Sequence, residues 1–579
     1  MATLLLSGTQ LQPQTPSVPL NKPFLTAIGI IYLIAMHIFL PNTGGDGLTL
    51  PFNVTTWIAV SFVVCLGLYQ LSNNQTLRYS KLTIGLWLCS VIMTVPLFYT
   101  NADWNNALSR MIGLWAGFSL FLVLQQFHFS NKHRQRLLWY VVLGVLIETF
   151  FALYQFGLFA SNNLFNFTPD GIFQDTDSMA SFLATGVVIS GYLLARQPKK
   201  YNKKLSEITL LYLTPLSTLP IIILLGSLIG WVSTVIGIIL VLPYIYRFSP
   251  RQRFINWISA ACLGLVLGLS AFYWQAHHTS STISRVTAPA NINIAPQSLD
   301  MLIEKPFTGY GYGNFEAQYT LYSARQHQLN PNYPPGQPGL EHPNNEILFW
   351  AIEGGLLPVL GIALAASLVL FRINSGKKGT RLAMFGLLIP TLVHSLIDTP
   401  FYQSAIHWVT FIILLFWIDQ RVSKYRLFRF SKVSSSLLRF VAIALPIFAT
   451  FCLMSILHTN FILTRFDQSE PKNLAILQQL INPTFSKQKL DQSIYSAYLE
   501  MGLDEGKVEY FQPYINWSLN TIQENPRPEL YNDLIEAYLA IGDISRAKQT
   551  KTEAEFLYPT IIFPEVQTSP VTIQEDQPE

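Results

Sequence analysis

The stretch from Ser227 to Trp274 reads SLIGWVSTVIGIILVLPYIYRFSPRQRFINWISAACLGLVLGLSAFYW. It holds two apolar runs, at about 227–246 and 254–274, and each has the roughly 20 residues that a helix needs to cross a bilayer. Between them lie Arg247, Arg251 and Arg253. A short basic turn between two apolar runs marks the face of the membrane that retains lysine and arginine. Working outward, the same unit recurs along the chain. It predicts thirteen spans, at about 24–40, 52–71, 82–99, 107–127, 137–159, 179–196, 207–225, 227–246, 254–274, 346–371, 381–397, 401–419 and 437–458. The fold class expected is therefore an all-α polytopic membrane protein.

Composition agrees. Only 12% of the 579 residues are charged and half are hydrophobic, whereas a soluble domain carries about 25% charged residues. The net charge of +4 is small and its basic residues are dispersed between apolar runs, which argues against nucleic acid as a partner. The four cysteines, Cys65, Cys89, Cys262 and Cys452, each lie inside an apolar run and form no CxxC pair. They read as small core residues rather than as a disulfide framework or zinc site. The first apolar run reads as a retained anchor, because the residues before it lack a cleavable signal pattern.

Alternate loops are basic. One set carries Arg78 and Lys81; Lys132, Arg134 and Arg136; Lys199 to Lys204; Arg247 to Arg253; Arg372 to Arg381; and Arg421 to Lys432. The opposite set carries Asp46, Asp103, Asp170, Asp175 and Asp177. The positive-inside rule puts the basic set in the cytoplasm. The expected organisation is then a cytoplasmic N-terminus (1–23), nine spans (24–274), a long outward loop (275–345), four spans (346–458), an outward helical domain (459–564) and a disordered tail (565–579). In the helical domain, Leu534, Tyr538, Gly542, Ala547, Ala554 and Pro559 fall at the spacing of one tetratricopeptide repeat. Such helix pairs suit the binding of a protein partner.

Candidate chemistry concentrates in the outward loop. Residues 341–346 read EHPNNE and lead into ILFWAIEGGLLPVLGI. Asn344 or Asn345 is expected to cap a helix there, placing His342 beside a positive helix end that attracts anions. A histidine so placed suits general base catalysis, although a loop histidine is as often an ordinary surface residue. Glu346, Trp350 and Glu353 share one helix face. Earlier in the loop, residues 304–316 read EKPFTGYGYGNFE. This is no phosphate-binding P-loop, since no Lys-Ser/Thr follows and no strand precedes it. Its glycines permit close backbone approach, and Tyr310 and Tyr312 are rings that can stack on sugars or simply pack in a turn. Arg285, Lys305 and Arg325 are the loop's cations, and arginine suits a diphosphate because its planar fork binds two oxygens at once. Within the spans, Glu148 and Gln155 lie in the fifth, and His394, Asp398 and His407 flank the turn between the eleventh and twelfth. His394 and Asp398 are four residues apart and can pair.

EKPFTGYGYGNFEAQY and HPNNEILFWAIEGGLLP together resemble the Wzy C-domain superfamily of O-antigen ligases and bacterial protein O-oligosaccharyltransferases of the PglL type. GIFQDTDSMASFLATG (171–186), which contains Gln174, resembles that family's earlier outer-loop motif. LVHSLIDTPFYQSAIHW (392–408) is similar to the segment that follows the loop in the protein-glycosylating branch. The resemblance, over roughly 140–560, implies a glycosyltransferase with an undecaprenyl diphosphate-linked glycan as donor, transferred en bloc to a Ser or Thr hydroxyl of a pilin-like periplasmic protein. It implies an inner-membrane location and no metal or other cofactor. It implies His342 as the base and loop arginines, Arg285 first and Arg325 second, as diphosphate contacts; Lys305, Tyr310, Tyr312, Asn345, Glu346, Glu353, Gln174 and Asp398 are the further substrate-contact candidates that the residues themselves suggest. Two positions depart from the pattern: Leu228 stands where arginine is common, and Asp177 where asparagine is. Other readings are a ligase onto lipid A core, a Wzy-like polymerase, or an inactive paralogue. A transporter fits least, as no internal repeat crosses the spans.

Overall fold

The structure, a computed structural model, describes residues 20–40, 47, 50–161, 168–197, 205–278, 293–470, 472–483 and 486–566. Arg285 and nearly all of the expected tail lie outside the described residues. Among the described residues, ten helices are long and apolar enough to cross a membrane: Pro51–Asn74, Lys81–Phe98, Trp104–Leu124, Asn131–Leu158, Thr176–Arg196, Leu205–Leu224, Leu228–Phe248, Arg251–His277, Leu356–Asn374 and Lys432–Asp467. Two apolar helices of 15 residues, Arg381–Ser395 and Ala405–Asp419, and the 13-residue helix Asn21–Leu33 occupy the other three expected segments. The chain is an all-α polytopic membrane protein.

The basic loops meet at one end of the bundle. Thr76–Tyr79 pairs antiparallel with Arg426–Arg429, the single sheet among the described residues. Arg78 reaches Phe127 O at 3.3 Å, and Arg253 reaches Gln197 O at 3.3 Å. Arg134, Arg196, Lys377 and Arg421 line one cavity of about 270 Å³. Contacts that gather charged turns in this way require an even number of crossings between them, as the alternation of basic loops implies.

The helix Thr176–Arg196 is the hub. It packs against the helices starting at Asn131, Leu205, Leu228 and Arg381, and its spanning stretch is entirely buried. Its small residues make this possible: Ala180 sits against Gly230, and Gly186 against Val145. In a bilayer, such close approach substitutes for a hydrophobic driving force.

One expected span is interrupted. The sequence predicts a single helix over about 346–371, but Glu346–Gly354 and Leu356–Asn374 are separate. Gly355 between them has φ +70°, and a Cβ there would meet Phe307 O at 2.3 Å. Leu356 N donates instead to Pro306 O at 2.7 Å. The 304–316 segment therefore wedges into the break, and Glu346 and Glu353 stand on a short helix before the span begins. The GYGYG turn is itself held down by the loop after the third span. Asp103 N donates to Tyr312 O at 2.8 Å, and Asn314 Nδ2 donates to Asn101 O at 2.7 Å. The backbones touch at Gly311 (φ +98°), where a Cβ would lie 1.9 Å from Asn101 O.

The final membrane helix does not stop where its apolar run does. Lys432–Asp467 has 36 residues, about 54 Å at 1.5 Å per residue, against a hydrocarbon core of about 30 Å. Its excess length carries the chain to four further helices, Lys487–Glu505, Phe511–Glu524, Pro528–Ala540 and Ile544–Leu557. Leu534, Tyr538, Ala547 and Ala554 form their core together with Tyr514 and Tyr531. This domain rests on the loop before Glu346 through Arg527, which donates to Glu316 at 2.7 and 3.0 Å and to Glu341 at 2.8 Å.

Gly311→Ala should sharply lower the yield of monodisperse protein after detergent extraction, read by size-exclusion chromatography. Gly157→Ala, on a helix with open space around the Cβ position, should leave that yield unchanged.

Candidate functional site

The site is built from four chain segments that converge at the end opposite the basic loops. The first is the HPNN turn. Asn344 takes a left-handed conformation (φ 50°), which asparagine tolerates better than most residues. Asn345 then caps the short helix, its Oδ1 accepting from Leu348 N at 2.9 Å. Its Nδ2 donates to Leu396 O at 2.7 Å, so this side chain ties the turn to the second segment, residues 395–404. Together they seat His342, one residue from the Glu341 that Arg527 holds.

His342 is mostly buried. Gln403 Nε2 lies 2.6 Å from His342 Nε2. An amide N–H donates, so that ring nitrogen carries the lone pair and Nδ1 carries the proton. Nδ1 faces Asp398 Oδ1 at 4.0 Å. The other oxygen of Asp398 lies 3.6 Å from His394 Nε2. His394 is fully buried, and its Nδ1 contacts Ser181 Oγ at 2.7 Å; the same hydroxyl contacts His407 Nε2 at 2.9 Å. The expected pairing of His394 with Asp398 is thus present as a charge contact, longer than a hydrogen bond.

The third segment is residues 168–178. Gly171 N donates to Gln155 Oε1 at 2.9 Å, and Ile172 N to Glu148 Oε2 at 3.4 Å. The two polar residues of the fifth span therefore hold this loop, and His37 pairs with the same Glu148. Asp175 caps the hub helix, its two oxygens accepting from Asp177 N at 3.4 Å and Ser178 N at 2.7 Å. Asp175, His394 and Asp398 place one ligand-type atom each within 4.8 Å of one another. Gln174 (φ 53°) donates to Leu40 O at 2.9 Å. Asp177 accepts from Ser227 Oγ, whose chain neighbour Leu228 is two-thirds exposed and heads an outward stripe with Val232, Val235 and Ile239.

The fourth segment is the GYGYG turn, and here the tyrosines differ from expectation. Tyr310 and Tyr312 are buried, so neither ring offers a free face for a sugar. Tyr312 donates to Met93 O at 2.7 Å and packs edge-on against Trp350. Its turn is pinned by Glu353, which pairs with Arg110 and also accepts from Phe315 N at 3.2 Å. The Arg110 guanidinium lies over the rings of Phe349, Trp350 and Tyr312. Sequence reading passed over Arg110. Its signal was there: a lone arginine inside an apolar span, near the end remote from the basic loops. Lys305 lies over the Tyr310 ring at 4.2 Å, and Arg325 pairs with Glu304 at 3.6 Å; both cations are engaged within the loop.

The carboxyls here are tuned in opposite directions. Burial pushes Glu346 up to about 7, opposed by the Trp350 N–H. Burial also acts to raise Asp398, but the His394 and His342 imidazoles outweigh it and hold Asp398 below the usual range.

Comparisons with known proteins meet on this region. Residues 213–364 match the family described as O-Antigen ligase, and residues 382–568 match that described as virulence factor membrane-bound polymerase, C-terminal. The chain is similar to the ComP-specific O-oligosaccharyltransferase of Acinetobacter baylyi, with 21% identity over 401 residues, 65% of this chain and 68% of that protein.

A carboxyl with a raised folded-state pKa is most stable while protonated, so its burial cost grows as pH rises from the unfolded value, near 4.5, to about 7. Glu346→Gln should therefore raise the melting temperature at pH 8 and have little effect at pH 4, measured by differential scanning fluorimetry in detergent. The matched domains and the relative agree with the sequence resemblance: the chain carries an O-antigen ligase (Wzy C) domain and is a glycosyltransferase-like enzyme.

Proposed function

We propose that this enzyme transfers an oligosaccharide en bloc from undecaprenyl diphosphate to a Ser or Thr hydroxyl of a periplasmic, pilin-like protein, with His342 as general base. The single observation that carries this reading is the polarity of His342. Its lone pair sits at Nε2, under a donor that an incoming hydroxyl can displace, and its Nδ1–H faces a carboxylate. In the reaction the acceptor hydroxyl gives its proton to Nε2. Its oxygen bonds to the anomeric carbon, and the bond from that carbon to the phosphate oxygen breaks, leaving the electron pair on the diphosphate. The imidazolium formed is favoured by Asp398, the role that an orienting carboxylate plays beside a catalytic histidine.

The basic loops lie in the cytoplasm under this reading, and the chain resides in the inner membrane. His342, the outer loop and the C-terminal helices then share the periplasmic side with donor and acceptor. Arg285 is proposed as a diphosphate contact, and Gln174, Asn345 and Glu346 shape the walls of the site. The C-terminal helices, locked to the loop by Arg527, favour a protein acceptor over a saccharide one. A relative that acts as an O-oligosaccharyltransferase supports the same choice.

His342→Ala should lower glycan transfer by about 10²–10⁴-fold, the usual worth of a positioned acid or base, with unchanged membrane insertion. The measurement is mass spectrometry of periplasmic proteins from cells carrying wild type or variant. Transfer at the wild-type rate in the variant would remove His342 from the mechanism. Glycan lost from lipid A core rather than from protein would select the ligase reading. Reporter fusions after residues 345 and 467 should both be active only in the periplasm; cytosolic activity at either would reverse the orientation.

A further inference from the structure

We infer that the cavity among Arg134, Arg196, Lys377 and Arg421 binds the phosphate of an anionic lipid headgroup. It lies where the basic loops meet, at the end of the bundle opposite His342, so the inference is independent of the proposed function.

The first observation is unpaired charge. Three guanidiniums and one ammonium line about 270 Å³, and among the described residues no carboxylate lines it. Asp419, the carboxylate beside Gln420 in the chain, is held by Arg372 at 3.5 Å, by Tyr425 at 3.4 Å and by Ser423. The arginines of the cavity use neutral partners instead. Arg134 Nε donates to Phe129 O at 3.0 Å, Arg421 donates to the Tyr192 hydroxyl, and Arg196 lies over the Trp417 ring at 5.1 Å. Arg196 Nε is buried without a hydrogen-bond partner, a donor that an anionic oxygen would satisfy. Arg247 adds a fifth cation behind the wall, its Nη1 lying 2.9 Å from where a Cβ on Gly379 would stand. Like charges gathered round one space repel one another until an anion enters it.

The second observation is where these cations sit on their helices. Arg196 and Arg421 close Thr176–Arg196 and Ala405–Asp419, and a cation at a helix C-terminus is favoured with no ligand at all. Arg134 and Lys377 stand at the opposite kind of end, at the starts of Asn131–Ser161 and Arg381–Ser395. Such ends disfavour a cation and attract an anion. Thr380 heads the second of them with no side-chain cap. One phosphate in the shared space answers the two helix starts and the cations beside them together.

The third observation identifies a lipid as the source. Small-molecule pockets begin at about 300 Å³; this cavity is smaller, which suits a headgroup phosphate rather than a nucleotide. Its wall includes the turn at 375–380, which joins Leu356–Asn374 to Arg381–Ser395. On either side of that turn Phe371 and Leu382 are 68% and 55% exposed. In a bilayer such side chains lie against acyl chains, so a lipid with its phosphate in the cavity keeps its tails beside them. Basic pockets between membrane helices hold anionic headgroups in this way.

The test uses the full-length protein in detergent, depleted of lipid and titrated with mixed micelles of phosphatidylglycerol or of phosphatidylcholine, with bound lipid counted by native mass spectrometry. Wild type should retain one phosphatidylglycerol per chain, about tenfold or more tighter than phosphatidylcholine. A cation near an anionic lipid is worth roughly fivefold in affinity. Arg134→Gln with Lys377→Gln should therefore weaken retention by about tenfold or more while eluting as wild type on size exclusion. Arg426→Gln with Arg429→Gln removes the same charge from the exposed strand on the same face and should leave retention unchanged. No preference over phosphatidylcholine, or equal loss in the two double variants, would overturn the site. If the first double variant elutes aberrantly, Lys377→Gln alone, at an exposed side chain, carries the test: a loss of roughly fivefold is expected, and unchanged affinity would overturn the site. Saturable binding of inorganic phosphate in place of the lipid would overturn the headgroup as occupant.

Discussion

Arg110 and Glu353 are buried against each other at the rim of the bundle, and the loop that carries the GYGYG turn depends on that contact. Removing one partner of a buried pair costs about 3–5 kcal/mol, because the other charge is left in a medium that cannot solvate it. Here the cost is compounded by what Glu353 does besides. Its side chain accepts from Phe315 N and its backbone oxygen from Gly311 N at 2.9 Å. One residue thus joins a membrane helix, the GYGYG turn and the short helix that begins beside His342. The three rings around the guanidinium exclude water from the pair and take part of the cation's charge onto their faces. The loop's own helices, Ile294–Glu304 and Phe315–Leu329, flank the GYGYG turn, and that turn is what fixes the loop to the bundle. It gains a fixed shape by being nailed to helices that cannot move far.

The bundle was legible in the sequence because a bilayer imposes one rule everywhere: about 20 apolar residues per crossing, with lysine and arginine held on one side. Thr76–Tyr79 and Arg426–Arg429 are over three hundred residues apart, yet loop charge alone put both on one face of the bundle, where they pair. Local rules also carried through the helix cap at Asn345 and the shared face of Glu346, Trp350 and Glu353. What failed to show were contacts set by tertiary approach. Gly355 reads as one glycine among several in an apolar run; only the arrival of Phe307 O makes it a break. Tyr310 and Tyr312 look like sugar platforms until the loop's own helices close over the first and the third and fourth spans over the second. Arg110 went unread because its partner lies 243 positions away. The approach of Asp175 to His394 and Asp398 was hidden for the same reason, as the latter two read as a local pair and the first only as a loop charge.

The opposed tuning of Glu346 and Asp398 follows from what each faces. Glu346 looks into Trp350 and apolar side chains, and its second oxygen has no partner. A carboxyl in that setting is held by burial, as a hydrogen-bonding group more than as a charge. Asp398 lies between two imidazoles and stays ionised. Environments that push like groups apart in this way separate structural from reactive roles. The ionised member is the one that faces His342.

That leaves an electrostatic problem whose solution decides how the chemistry proceeds. Under the proposed function a diphosphate leaving group brings concentrated negative charge to a rim that already holds Asp175, Asp177 and Asp398. Arg110 and Arg527 are held by their own carboxylates, so the guanidinium proposed to meet that charge is Arg285. Protonating the carboxyls is no alternative at Asp398, whose imidazole neighbours favour the charged form. Asp398 therefore serves the incoming group rather than the departing one: it favours the imidazolium that forms as His342 takes the acceptor's proton, while His342 keeps its own Nε2 free for that acceptor.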